Sequence, residues 1–294
     1  MRDAFYRSTA ELLDDDPRTA LVLADISAAA FGPVGARHPD RVVNVGIREQ
    51  LMVSVAGGLA MTGLRPIAHS YAPFLIERAW EQLKLDLSHQ ETGAILVSVG
   101  ASYDEPTAGR THFAPGDVAL LDTLGGWTVH VPGHPDEVGP LLRDAAAHDR
   151  PVYVRLAKQA NARAHDGGNG LVPIRRGHDA VVVAVGPMLD RVLTATTGLD
   201  VTVAYTHTPR PFDGEGLRSL LWDASTSTVV MVEPYLRGTS AHHVSAALQT
   251  MPHRLISLGV GRDDLHRYGA VTDHDRAHGL DAAGLRQAIA AVVQ

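Results

Sequence analysis

The sequence predicts an α/β protein of two domains, each a largely parallel sheet flanked by helices. Three observations lead there: short β-rich runs alternate with longer segments of helical period, the 294 residues exceed one average domain, and the apolar period lapses over 161–178.

In chain order, the opening MRDAFYRSTAELLDDD reads as an amphipathic acidic helix rather than as a signal peptide, with Asp14–Asp16 solvating its end. Strands are expected at 19–25, 41–46, 65–70, 94–100, 127–133 and 151–157. Helical spacing over 48–62, 72–88, 117–125 and 135–148 links them, and Pro135 stands near the first-turn position that tolerates proline. Residues 1–162 are therefore expected to form the first domain. Gly, Asn and charge then gather through 163–178, which predicts a surface linker. Residues 179–294 form a smaller α/β domain, with strands expected at 180–186, 201–206, 228–234 and 254–260 and helices near 188–197, 214–223, 239–249 and 282–293. There is no fixed-period repeat and no low-complexity tract.

Composition removes several function classes. With 26 Lys+Arg against 33 Asp+Glu, a net charge of −7, and no basic block, nucleic acid is not an expected partner. The absence of cysteine excludes thiolate nucleophiles, disulfides, iron–sulfur clusters and Cys-based zinc sites. Apolar runs such as AILVSV fall far short of the roughly 20 residues that cross a bilayer, so no membrane partner is expected and the cytoplasm is the expected location.

The most informative segment is NVGIREQLMVSVAGGLAMTGLRPIAHSYAPFLIERAWEQ, where a strand delivers Gly46 to a turn and Glu49 to the first turn of a helix. That puts a carboxylate at the carboxyl end of a strand, where open α/β sheets hold ligands. Taken alone, Glu49 is better explained as half of a capping arrangement with Gly46 at the N-cap, or as an acid favoured by the helix dipole. On spacing alone, Tyr71 and Phe74 read as core.

The segment resembles the pyrimidine-binding domain of thiamine-diphosphate (ThDP) enzymes, specifically the C-terminal subunit of split transketolases. The resemblance keeps its order along nearly the whole chain, through LADIS, GIREQ, GGLAMTGLRPIAHSYAPF, RAWEQ, THFAPGDVALLD, VPGHPDE and HRYGAVTDH…GLDAAGL. It implies a ThDP pyrimidine-binding fold followed by a transketolase C-terminal-like domain. It makes Glu49 the group that shares a proton with ring nitrogen N1′, so that the cofactor's 4′-imino group can deprotonate the thiazolium C2. Burial beneath the ring is expected to favour the protonated acid, against the pull of the helix N-terminus. Phe74 is assigned to stacking on the ring, while Tyr71 stays open between stacking and core. Asp25 of LADIS and Ile47 of GIREQ are further cofactor-binding candidates.

His112 in GRTHF matches the histidine that faces substrate beside the thiazolium, where a neutral imidazole can hydrogen-bond a ketose hydroxyl. Of the 16 histidines, His69, His130, His242 and His243 read as ordinary surface residues, although His69 borders the ring pocket and is kept as a substrate-side candidate. The GDG…Asn motif that holds magnesium and diphosphate in full-length relatives has no counterpart here. The resemblance therefore implies a separate N-terminal diphosphate-binding subunit that supplies most contacts to Mg2+ and diphosphate, in an assembly of at least α2β2.

The chain also departs from the family pattern. Ala108 stands where the family has an Asp that contacts a sugar hydroxyl, AAA (28–30) replaces a phosphate-binding serine, and Gly100 replaces a histidine. Lys158 stands where the family has a phosphate-binding Arg, as a point charge instead of a fork, and Arg110 is a candidate replacement anchor whose simpler reading is an exposed loop residue. Each lost charge-assisted bond is worth about 1.5–3 kcal/mol, so the expected substrates lie outside the central pentose phosphates. The expected function is transfer of a two-carbon ketol or related acyl unit onto a non-standard acceptor. The alternatives are the β subunit of a 2-oxo acid decarboxylating enzyme and a non-catalytic scaffold subunit.

Overall fold

The computed structural model describes residues 1–294 except 166, 167, 169, 264 and 294. The helices are α1 (Arg2–Asp15), α2 (Ala28–Arg37), α3 (Glu49–Met61), α4 (Trp80–Gln82), α5 (Asp117–Leu121), α6 (Pro135–Ala146), α7 (Leu189–Ala195), α8 (Gly214–Ala224), α9 (Ala241–Ala247), α10 (Val271–His278) and α11 (Ala282–Ala290). The strands are β1 (Thr19–Leu23), β2 (Val42–Asn44), β3 (Arg65–Tyr71), β4 (Ile95–Val99), β5 (Thr128–His130), β6 (Val152–Arg155), β7 (Val172–Arg175), β8 (Val181–Val185), β9 (Thr202–Thr206), β10 (Thr228–Leu236) and β11 (Arg254–Val260).

The first sheet has six strands in the order β2-β1-β3-β4-β6-β5, all pairs parallel. Parallel strands with both faces covered are apolar throughout, and β1 and β4 are buried at every position. Their alternation splits the core in two. Val22, Ala24, Ala68 and Leu96 pack with Met52 and Val53 of α3, while Leu21, Leu23, Ile67 and Ile95 pack with α1, α2 and α6. Because the chain leaves β1 toward β2 and returns to β3 on the other side of β1, the strand order reverses there. A ligand crevice opens at the carboxyl ends of strands that part in this way.

The second sheet has five strands in the order β11-β10-β8-β9-β7, parallel except for the antiparallel pair of β7 and β9. Its Val182, Ala184, Val203 and Val230 face Leu189, Leu285 and Ile289. Its other face, with Val181, Val183, Val185 and Met231, belongs to the same apolar cluster as α3 in the first unit. The two sheets thus share a continuous core. Among the described residues, no helix is long and apolar enough to cross a membrane.

Three local expectations change. The stretch 163–178, expected as a linker, contains edge strand β7, because Val172–Arg175 pairs with β9; positions 166, 167 and 169 of that stretch lie outside the described residues. The helix expected over 72–88 is wound as two π-helical pieces, Pro73–Arg78 and Leu83–His89, around the short α4. His69 and His130 are not surface residues: they lie on strands covered on both faces and are 0% and 1% exposed. Pro135 does open α6, where the His134 ring accepts from Asp136 N.

Candidate functional site

Glu49 is the first residue of α3, and Arg48, not Gly46, is the N-cap. The capping explanation fails, because the Glu49 side chain turns away from its own helix end. Only 1% exposed, it accepts from Ser70 Oγ of β3 at Oε1 (3.3 Å) and from Arg78 Nη1 at Oε2 (2.7 Å). Arg78 also lies over the Phe74 ring, its guanidinium carbon 4.1 Å from the centroid. Both residues sit on the π-helical piece, whose wider turn brings side chains four apart into register above one another. Arg78 was not among the residues expected from sequence.

Three half-buried rings form a triangle beside this carboxylate. Tyr71 and Phe74 are 6.0 Å apart, and His112 stands 5.4 Å from Tyr71 and 5.1 Å from Phe74, all edge to face. His112 reaches them from the 3-10 turn Gly109–His112. Gly100 explains how Tyr71 fits: its φ is +73°, and a Cβ there would lie 2.5 Å from Tyr71 Cδ1. A histidine at position 100 and this placement of Tyr71 exclude each other.

Asp25 follows β1 in the left-handed region (φ 70°), as does Ser27 (φ 66°), a conformation that non-glycine residues hold only under constraint. The constraint is visible at Asn44, whose Oδ1 accepts from Asp25 N (3.0 Å) and Gly46 N (3.1 Å) and so ties the loops after β1 and β2 together. Ile47, in the turn before α3, is 72% exposed.

His69 is buried on β3 and hydrogen-bonded on both ring nitrogens. Its Nδ1 meets Val97 O (2.8 Å), which makes Nδ1 the donor and leaves Nε2 to accept from Ser27 Oγ (2.9 Å). Burial pushes its pKa down to about 4. Ser27 Oγ accepts in turn from Tyr6 and from Arg2 Nη2 (3.0 Å). Arg2, likewise not expected from sequence, places its guanidinium carbon 5.9 Å from the Tyr71 centroid.

Two cavities adjoin this centre. One, of about 210 Å3, is lined by Arg2, Gly100, Asp104, Glu105 and Lys158, with Lys158 Nζ 2.8 Å from Glu105 Oε2. The other, of about 250 Å3, lies between the two units and receives Arg110, along with Glu77, Phe113 and His274. Burial there raises the Glu77 pKa. The structure therefore brings Glu49, Tyr71, Phe74 and His112 together and separates Arg110 from Lys158. Among the described residues, Asp122, His242 and His243 form the one grouping with metal-ligand spacing, and Arg210 already engages both Asp122 oxygens.

Comparison with known proteins places the chain among relatives. Residues 1–163 match the family model "Transketolase, pyrimidine binding domain". The chain is 51% identical over 292 residues to "Uncharacterized 33.6 kDa protein in fasciation locus" of Rhodococcoides fascians, covering 98% of this chain and 93% of that one. It is 34% identical over 227 residues to a subunit of the apulose-4-phosphate transketolase of Actinobacillus succinogenes, covering 73% and 72%. Among solved structures, "Split gene transketolase, inactive beta4 tetramer" superposes with a TM-score of 0.83 at 24% identity, over 99% of this chain and 97% of that one, and shares the fold.

Proposed function

This chain belongs to the transketolase pyrimidine-binding family, and on that premise we propose that it is the ring-binding subunit of a two-component, ThDP-dependent transketolase-like carboligase. The observation that carries the reading is the buried Glu49 carboxylate, joined through Arg78 to the Phe74 ring of the cluster with Tyr71 and His112. The residues present fit an aminopyrimidine: half-buried aromatic rings, a buried carboxylate joined to Phe74 through Arg78, and an exposed apolar Ile47 nearby in the chain. When bound, the cofactor supplies a nucleophilic thiazolium carbon.

Glu49 would hold or release a proton at Oε1, which makes the long contact to Ser70, while Arg78 keeps Oε2 fixed. Phe74 and Tyr71 would pack against the ring, and the Asp25 and Ile47 turns would border it. His112 would hydrogen-bond the substrate oxygen. Arg2 and Lys158 would face the far end of the substrate, and Arg110 the cavity between the units. His69 would keep Ser27 and Arg2 in place.

In this reading Mg2+ and diphosphate are held mainly by a separate N-terminal subunit in an α2β2 assembly in the cytoplasm. Residues 1–162 bind the ring, and the transketolase C-terminal-like domain begins at β7 within 163–178 and runs to 294. The substrates are a ketose or keto donor and a non-standard acceptor.

The test is Glu49→Ala in the complex reconstituted with the polypeptide that carries GDG…Asn. Ketol transfer should fall by about 10²–10⁴-fold. Unchanged turnover would leave this chain a scaffold.

A further inference from the structure

The cavity beside Lys158 holds two carboxylates that the proposed reaction does not use. Asp104 is 3% exposed and accepts from Lys158 N at Oδ2 (2.8 Å), and its neighbour Glu105 holds the Lys158 ammonium at 2.8 Å. The cavity is also lined by Asp3 and by Met1, whose terminal ammonium joins the Arg2 and Lys158 side chains beside three carboxylates. Arg2 is itself held by Tyr6 and Ser27. Through Gly100 and Arg2 the cavity abuts Tyr71 of the ring cluster.

We infer that this cavity turns away a phosphate group and receives the uncharged, hydroxylated end of a sugar-like substrate, with Asp104 and Glu105 as the specificity-determining residues. A phosphate dianion would have to displace Glu105 from Lys158 and then lie between the Glu105 and Asp104 carboxylates, and like charges repel. Hydroxyls meet no such conflict, because each can donate to a carboxylate oxygen and accept from Lys158 or Arg2. Burial holds the Asp104 pKa up at about 6, so at pH 8 Asp104 carries its charge.

The inference rests on the carboligase reading for its place beside the reacting centre, but its first test needs no cofactor. Inorganic phosphate is titrated into the full chain at pH 8 by calorimetry. Glu105→Gln should bind it at least about tenfold more tightly than the wild type, and Asp104→Asn/Glu105→Gln more tightly still. Equal affinities, or tighter binding by the wild type, would overturn the inference. Should the double variant fail to fold, Glu105→Gln alone decides, since that side chain is 20% exposed. In the reconstituted complex, wild-type kcat/KM should favour a free ketose over its phosphate ester, and Glu105→Gln should narrow or reverse the ratio. No turnover with any ketose would count against the carboligase reading and leave the phosphate titration standing.

Discussion

Replacing Arg78 with Gln separates what holds Glu49 from what surrounds it. Breaking one side of a fully buried ion pair costs about 3–5 kcal/mol, but the Arg78 side chain is 40% exposed against 1% for Glu49, so water recovers part of the loss and about 2 kcal/mol remains. Losing the guanidinium over Phe74 at 4.1 Å adds about 0.5–1 kcal/mol. The single variant should therefore lose about 3 kcal/mol, or roughly 6–12 °C in Tm for a chain of this size.

Glu49→Gln and the double variant complete a thermodynamic cycle in which the Phe74 contribution cancels, because it is lost in both arms that remove Arg78. Urea unfolding followed by far-ultraviolet circular dichroism gives the four free energies. The coupling should be about 2 kcal/mol; a value below about 0.5 kcal/mol would show that the 2.7 Å contact does not hold the carboxylate.

Two further outcomes follow from the same geometry. Gly100→Ala should cost about 2–3 kcal/mol, from a φ of +73° and the contact with Tyr71, and a Tyr71→Ala background should return part of it; equal costs in both backgrounds would refute the contact. His69 has a folded pKa of about 4 against an ordinary 6.5, so the unfolded chain binds the extra proton between those values. Its contribution is complete above pH 6.5 and falls away as pH drops toward 4, by roughly 3 kcal/mol in all. His69→Gln should flatten the urea-derived stability profile across that window relative to the wild type, and parallel profiles would refute neutral burial.

The fold was legible because parallel strands covered on both faces must be apolar runs, and β1, β4 and β8 are such runs. The position of Glu49 was legible for a related reason, since the end of β2 and the start of α3 fix where residue 49 falls. Its partners were less so. Arg78 stands four residues after Phe74, a spacing that pairs side chains on any helix, yet the π-helical winding that aims it at Glu49 leaves no mark in composition. Arg2 reaches Tyr71 across 69 positions of sequence, a distance that no local pattern encodes. His69 and His130 were misjudged because histidine was weighed as a residue type, when the strands that carry them leave no exposed face. The strand within 163–178 was masked by Pro173 and a short VPIR run, both tolerable only at a sheet edge.

The π-helical winding of Pro73–Arg78 also bears on how the chain tolerates changes in length. An α-helix turns about 100° per residue, so with one residue excised between Phe74 and Arg78 and the segment rewound as α-helix, ring and cation would stand three apart and about 60° off the register the wider turn gives them, moving the guanidinium from the carboxylate it grips. An indel of one at this spot would pass for harmless drift in an alignment and yet uncouple the acid from its counter-ion. The count of residues between ring and cation is thus as much a part of the site as their identities.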